Sequence, residues 1–166
     1  VPTGPGPGPS GAAAPAPELE LAFRNLSVFH QDGERVAIAR DGRVIYEVWK
    51  RGPLLRYELS IAGQPAMQEV QRAAARLRVE ATKLADRLGI PDEVRVTFHV
   101  VDGAGAVREA SLWESDLGKL APDDVLTEAV RAVRAVAALA PSHGPARQVA
   151  PEELGSRWPN VFTPPR

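Results

Sequence analysis

Between residues 19 and 61, short runs of β-branched, aliphatic and aromatic residues alternate with polar ones, and each run ends on residues that a turn requires. Asp32-Gly33 separates residues 26–31 from 34–40, and Asp41-Gly42 separates that second run from 43–50. A two-residue hairpin loop holds positive φ at its centre, which Gly and Asp tolerate, so both pairs predict tight antiparallel connections. Gly52-Pro53 interrupts the pattern before a last run at 54–61. The prediction is an antiparallel meander of three to four strands paired in chain order.

The period of the apolar positions then lengthens. Met67, Val70, Ala74, Leu77, Ala81, Leu84 and Leu88 recur at alternating spacings of three and four, which puts them on one stripe of a helix. Pro65 suits a first turn, Gly89 suits the position past the end and Pro91 forbids continuation, so a long helix is predicted over residues 63–88. Arg72, Arg76, Lys83 and Arg87 fall on its opposite side.

Alternation of period two returns where Val94, Val96, Phe98 and Val100 interleave with Arg95, Thr97 and His99, the signature of a strand with one buried face. Residues 102–105 (DGAG) turn the chain into a second strand at 106–113. Val107 and the set Ala106, Ala110 and Leu112 favour opposite faces of that strand, which predicts a bulge. Pro122, Asp123 and Asp124 open a second helix reaching residue 140, with two carboxylates at the end where the dipole favours them. Its apolar arc carries Leu126, Ala129, Val130, Val133, Val136 and Ala137.

The two ends of the chain read differently. Residues 1–17 have no periodic apolar pattern, their prolines remove backbone donors and their glycines raise the entropy cost of ordering, so they form a disordered Pro/Gly/Ala-rich arm. Residues 141–166 are Pro-rich and irregular, with a helical turn at 151–154, and Trp158, Val161 and Phe162 are expected to dock this tail on the body. The fold class is therefore α+β: a meander, a long helix, a β-hairpin and a C-terminal helix. Residues 18–140 make a single domain.

Composition narrows the partners. The 20 basic and 21 acidic residues leave a net charge of −1, so no overall field draws in nucleic acid, which is not expected as a partner. Aromatic residues are only 5% of the chain, so the core must come from Val, Leu, Ile and Ala and stacking platforms for single strands are scarce. Cysteine is absent, which excludes disulfides, thiolate ligands and a Cys nucleophile while suiting reducing and oxidising compartments alike. The apolar runs are too short for a membrane-spanning helix, so a soluble protein is expected, in the cytoplasm, or in the periplasm if the chain is a piece of a longer one.

The residues that carry chemistry are few and scattered. His30, His99 and His143 have no second ligand at metal spacing on the same element, and His99 is expected to be solvated or to take a cross-strand role on the polar face of its strand. The DGAG run connects two strands, whereas a dinucleotide loop must pass into a helix, and position 108 is Arg. Ser142-His143 lies in a Pro-bounded loop without a nucleophile elbow. Among the paired carboxylates, Glu114 and Asp116 are the candidates for an acidic catalytic site; Asp123 and Asp124, like Glu152 and Glu153, are read as helix-start and loop residues. No cofactor or metal is expected.

Interaction surfaces are better candidates. Glu69 and Glu80 share the side of Arg72 and Arg76, which makes that side a solvated one, but Ala75 and Val79 leave an apolar step beside it for a second element or a partner to cover. Residues 54–61 (LLRYELSI) read as an exposed edge strand with only Arg56 and Glu58 as charges, where Leu54, Arg56, Tyr57 and Glu58 would pair with a second copy of the chain or a client peptide.

The predicted order of strands and helices resembles the core of the type III secretion chaperone fold, without its first helix. Residues 93–140, which begin EVRVTFHVVDGAGAVREASLWESDLG, resemble the strand-DG-strand-helix portion of TonB-type energy transducers, without their final strand. The first resemblance implies a protein-binding adaptor or chaperone; the second implies a periplasmic domain of an envelope-spanning protein. A non-catalytic interaction module is expected first, the periplasmic domain second and an enzyme at Glu114 and Asp116 third.

Overall fold

Seven strands form one antiparallel sheet, with two helices packed together against one of its faces. These features come from a computed structural model of the chain, which describes residues 19–27, 32–150 and 158–162. The strands are β1 (Leu19–Leu26), β2 (Asp32–Ala39), β3 (Arg43–Lys50), β4 (Leu54–Ser60), β5 (Arg95–Val101), β6 (Val107–Trp113) and β7 (Arg147–Val149), and the helices are α1 (Pro65–Val79) and α2 (Val125–Leu139). In space the strand order is β6-β5-β1-β2-β3-β4-β7, so the meander β1 to β4 carries the hairpin β5-β6 on one flank and the three-residue β7 on the other. The arm expected at 1–17 and the turn expected at 151–154 lie outside the described residues, as do His30, Glu152 and Glu153.

Asp41-Gly42 turns β2 into β3. Gly42 sits at φ +92 and a Cβ there would lie 2.7 Å from the Ala62 backbone nitrogen, so glycine is required twice over. Asp32-Gly33 is different from the prediction: both residues belong to β2, and the first strand runs over Leu19–Leu26 instead of 26–31. A Cβ on Gly33 would come within 2.5 Å of the Trp49 ring and 2.8 Å of Leu26, so this glycine lets two side chains close over a strand and does not make a turn.

The helix-facing side is aliphatic and dry. Leu21, Phe23, Val36, Ile38, Val44, Val96, Phe98 and Leu112 meet Met67, Val70, Ala74 and Leu77 of α1 and Leu126, Ala129, Val133 and Val136 of α2 in one cluster. Phe23 and Phe98, opposite each other on β1 and β5, hold their ring centroids 5.3 Å apart. Each such Val, Leu, Ile, Phe or Met side chain contributes roughly 1.5–3 kcal/mol on burial.

α1 ends nine residues before the predicted limit. Asp124, the N-cap of α2, accepts hydrogen bonds from the Thr82 hydroxyl at 3.0 Å and the Lys83 amide at 3.1 Å, and this draws the chain off the helix axis at Glu80. Of the predicted stripe, Met67, Val70, Ala74 and Leu77 are buried, Leu84 reaches the core from an irregular segment and Leu88 is 94% exposed. The predicted bulge in the β5-β6 hairpin is also absent: pairing is continuous from Val101↔Val107 to Arg95↔Trp113, with Val107 simply left exposed among polar neighbours. The register shift lies in the β1-β2 pair, between Leu19 and Leu21.

Candidate functional site

The other face of the sheet carries no helix among the described residues, and it is where the charged residues of the strands gather. Side chains alternate across a pleated sheet, so the residues between the core positions point to this face. Continuous registers align one such residue from every strand into a single transverse row: Ser111, Thr97, Arg24, Arg35, Glu47, Arg56 and Arg147. The row thus sets four arginines against one glutamate.

Glu47 is fully buried at its centre. Arg35 grips it with two bonds, Nε to Oε1 at 3.2 Å and Nη2 to Oε2 at 3.3 Å, while Arg56 Nη2 reaches Oε2 at 3.5 Å. A buried carboxylate needs such pairing, because an unpaired charge out of water costs several kcal/mol. Arg24 stands directly opposite Arg35 on the neighbouring strand and makes no ion pair among the described residues.

Beside the arginines the sheet dips. The next row runs Glu109, His99, Ala22, Ala37, Ile45 and Glu58, and its two central residues are alanines. Trp158, Val161 and Phe162 from the C-terminal segment pack against Ala22, Ala37 and Leu19 in a second apolar cluster, separate from the main core. The Arg35 guanidinium lies 5.0 Å from the Trp158 ring centroid and 6.0 Å from that of Trp49, and Arg43 lies 5.7 Å from Phe162. The Trp158 indole nitrogen is buried without a hydrogen-bond acceptor. Of the two roles expected of His99 the structure shows the cross-strand one: it is buried beside Ala22, with Nε2 3.3 Å from the carboxylate of Glu109, its partner on β6. Burial lowers its pKa below the ordinary histidine value, Arg24 adds to that effect and Glu109 opposes it.

A cleft of about 240 Å³ opens on the same face, lined chiefly by Arg24, Leu26, Arg95, Thr97 and Trp113. Arg95 is already engaged, with both terminal nitrogens 3.0 Å from the Asp86 carboxylate.

The residues singled out from sequence do not form one site. Leu54 is buried opposite Val149, Arg56 joins Glu47, and exposed Glu58 lies 3.7 Å from Arg147, all on the helix-free face. Tyr57 points the other way and stacks on Tyr46 at 5.7 Å under the helices. The edge expected at residues 54–61 is covered in its first half, where β7 pairs with Leu54, Leu55 and Arg56. Arg72 is exposed on α1, Arg76 bridges to Glu80 and Glu128 at 2.7 and 2.9 Å, and Val79, at the end of α1, is 78% exposed. The basic stripe is divided because Lys83 and Arg87 lie beyond the end of α1.

Glu114 and Asp116 also part company. Asp116 is held between Lys119 at 2.8 Å and Arg87 at 2.9 Å, and those cations lower its pKa. Glu114 accepts from Asn25 at 3.1 Å and lines a different cleft, of about 440 Å³, at the strand ends. There Glu34 accepts from the Tyr46 hydroxyl at 3.1 Å and is paired with Arg134; burial, with Glu34 beside it, pushes the Tyr46 pKa up to about 12. Among the described residues no three His, Asp or Glu side chains gather as a metal site, and no helix is long and apolar enough to cross a membrane.

The row Arg24, Arg35, Glu47 and Arg56 was the site that motif reasoning missed. Part of its signal was available: Glu47 and Arg56 are each a charge between aliphatic or aromatic neighbours within a strand, and the Asp41-Gly42 turn brings Arg35 opposite Glu47. No protein-family model matches the chain, and no curated protein and no solved structure does either.

Proposed function

We propose that the chain is a non-catalytic protein-protein interaction module, of the adaptor or secretion-chaperone kind, whose working surface is the helix-free face of the sheet. One observation supports this most directly: that face already seats an aromatic segment, Trp158 to Phe162, over alanines at its centre. A sheet face that serves only to meet solvent carries polar side chains throughout. Small residues beneath, with a guanidinium beside the indole ring, make a seat for a large aromatic side chain, the kind of anchor that dominates protein interfaces.

The test frees the seat and offers it a ligand. In the full chain carrying Trp158→Ala and Phe162→Ala, a fluorescein-labelled peptide of residues 156–162 (SRWPNVF) should bind saturably, and Ala37→Leu should weaken it about tenfold by filling the dip. Absence of saturable binding by a folded variant would remove the support for this reading.

The cleft at the strand ends favours a second reading, an enzyme or small-molecule site in which Glu114 faces the Glu34, Tyr46 and Arg134 cluster. A ligand of that cleft would shift the Tyr46 titration, and Glu114→Gln would weaken it. Binding that leaves both unchanged would exclude the cleft.

A further inference from the structure

We infer that the partner of the helix-free face is an extended peptide in which an acidic side chain precedes an aromatic one, the carboxylate being taken by Arg24. This rests on the interaction-module reading and names the chemistry of its partner. Arg24 is half-buried on β1, the third strand from the β6 edge, directly opposite Arg35. Like charges facing each other across a strand pair repel, and a partly desolvated guanidinium gains most from a charge-assisted hydrogen bond. The other arginines around it have carboxylates: Arg35 and Arg56 share Glu47, Arg147 lies 3.7 Å from Glu58 and Arg95 holds Asp86. Arg24 has none among the described residues.

The surroundings of Arg24 set what the anion is attached to. The adjoining cleft of about 240 Å³ has Leu26 and the Trp113 ring in its lining, so it suits the apolar part of a side chain or a backbone turn. Glu93 also borders the cleft but does not neutralise Arg24. It is bound by Arg87 at 2.6 Å and by the Ile90 amide at 2.8 Å, contacts that pull its pKa down to about 2.

The resident segment sets the polarity of the peptide. Its Trp158 lies by Arg35 and its Phe162 by Arg43, so a ligand following it meets Arg24 before or at the aromatic seat. On this face Arg24 is the one strand arginine without a carboxylate among the described residues, a mark for a single carboxylate, whereas a nucleic-acid backbone is met by many cations at once.

Two peptides differing by one group test this on the full chain with Trp158→Ala and Phe162→Ala. SEWPNVF should bind about tenfold tighter than SQWPNVF, as expected when a charge-assisted bond replaces a neutral one. Arg24→Gln should erase that difference and leave SQWPNVF unchanged, while Arg24→Lys should keep part of it. Equal binding of the two peptides would overturn the acidic preference and leave the module reading standing; binding of neither would overturn both. A phosphoserine peptide that outcompetes SEWPNVF by a further tenfold or more would replace the carboxylate with phosphate and overturn the assignment.

Discussion

The two faces of this sheet are made from alternate residues of the same strands, and they solve opposite problems. The helix-covered face joins Leu21, Phe23, Ile38, Val96 and Phe98 to two amphipathic helices, with aliphatic burial as its main source of stability. The helix-free face buries Glu47, Arg35, Thr97 and His99 instead, and its apolar cover among the described residues is the Trp158 to Phe162 segment over alanines. Aliphatic packing is non-directional, and loss of volume is what it tolerates least. A buried ion network is directional, and its contribution depends on every member being present. The contrast separates the face that stabilises the fold from the face proposed for recognition.

The largest expected effect belongs to the covered face. Phe98→Ala removes a fully buried ring in contact with Phe23 and should cost about 3–5 kcal/mol in chemical denaturation. A loss under 1 kcal/mol would mean that the helices do not seal this core.

Glu47→Ala should come next. It removes the carboxylate that Arg35 and Arg56 share and should cost about 3 kcal/mol, at the low end for a broken buried pair because the Arg56 side chain keeps 13% of its exposure. Replacing the three together, Arg35→Met, Glu47→Leu and Arg56→Met, should be neutral or stabilising, which no simultaneous removal from the Phe98 cluster could be. Equal losses in the single and triple variants would refute the view that this network serves specificity more than stability.

The smallest effect is a pH dependence. His99 is kept neutral in the folded chain by burial, with Arg24 adding to it, whereas the unfolded chain takes up a proton near the ordinary histidine value of about 6.5. Its contribution is therefore complete above that pH and declines as the pH falls below it. His99→Gln should flatten the stability profile between about pH 6.5 and 5. An unchanged slope would show that protonated His99 is fully compensated by Glu109.

Much of the fold was legible because local chemistry and tertiary structure agree. Asp41-Gly42 demands a hairpin, the alternation from Val94 to Val100 demands a half-buried strand, and Asp123 and Asp124 mark the start of α2, where Asp124 becomes its N-cap. What failed was set by contacts distant in sequence. Ala81, Leu84 and Leu88 continue the stripe of α1, but the cap of α2 captures Thr82 and Lys83 first. Asp32-Gly33 has the composition of a turn, yet Trp49 is what requires the glycine. β7 is too short to announce itself, and it covers the first three residues of the strand that composition alone left exposed. The arginine row is a different case. Arg24, Arg35 and Arg56 are 11 and 21 residues apart and resemble no motif, and only the strand order makes them neighbours.

Chemical-shift mapping of the full chain with Trp158→Ala and Phe162→Ala, titrated with SRWPNVF, tests most directly whether the helix-free face is the working surface. Perturbed amides should centre on Ala22, Arg24, Arg35 and Ala37 and leave those of Asn25, Glu34, Tyr46 and Glu114 near their starting positions. Perturbation confined to the latter group would move the site to the strand-end cleft and contradict the assignment.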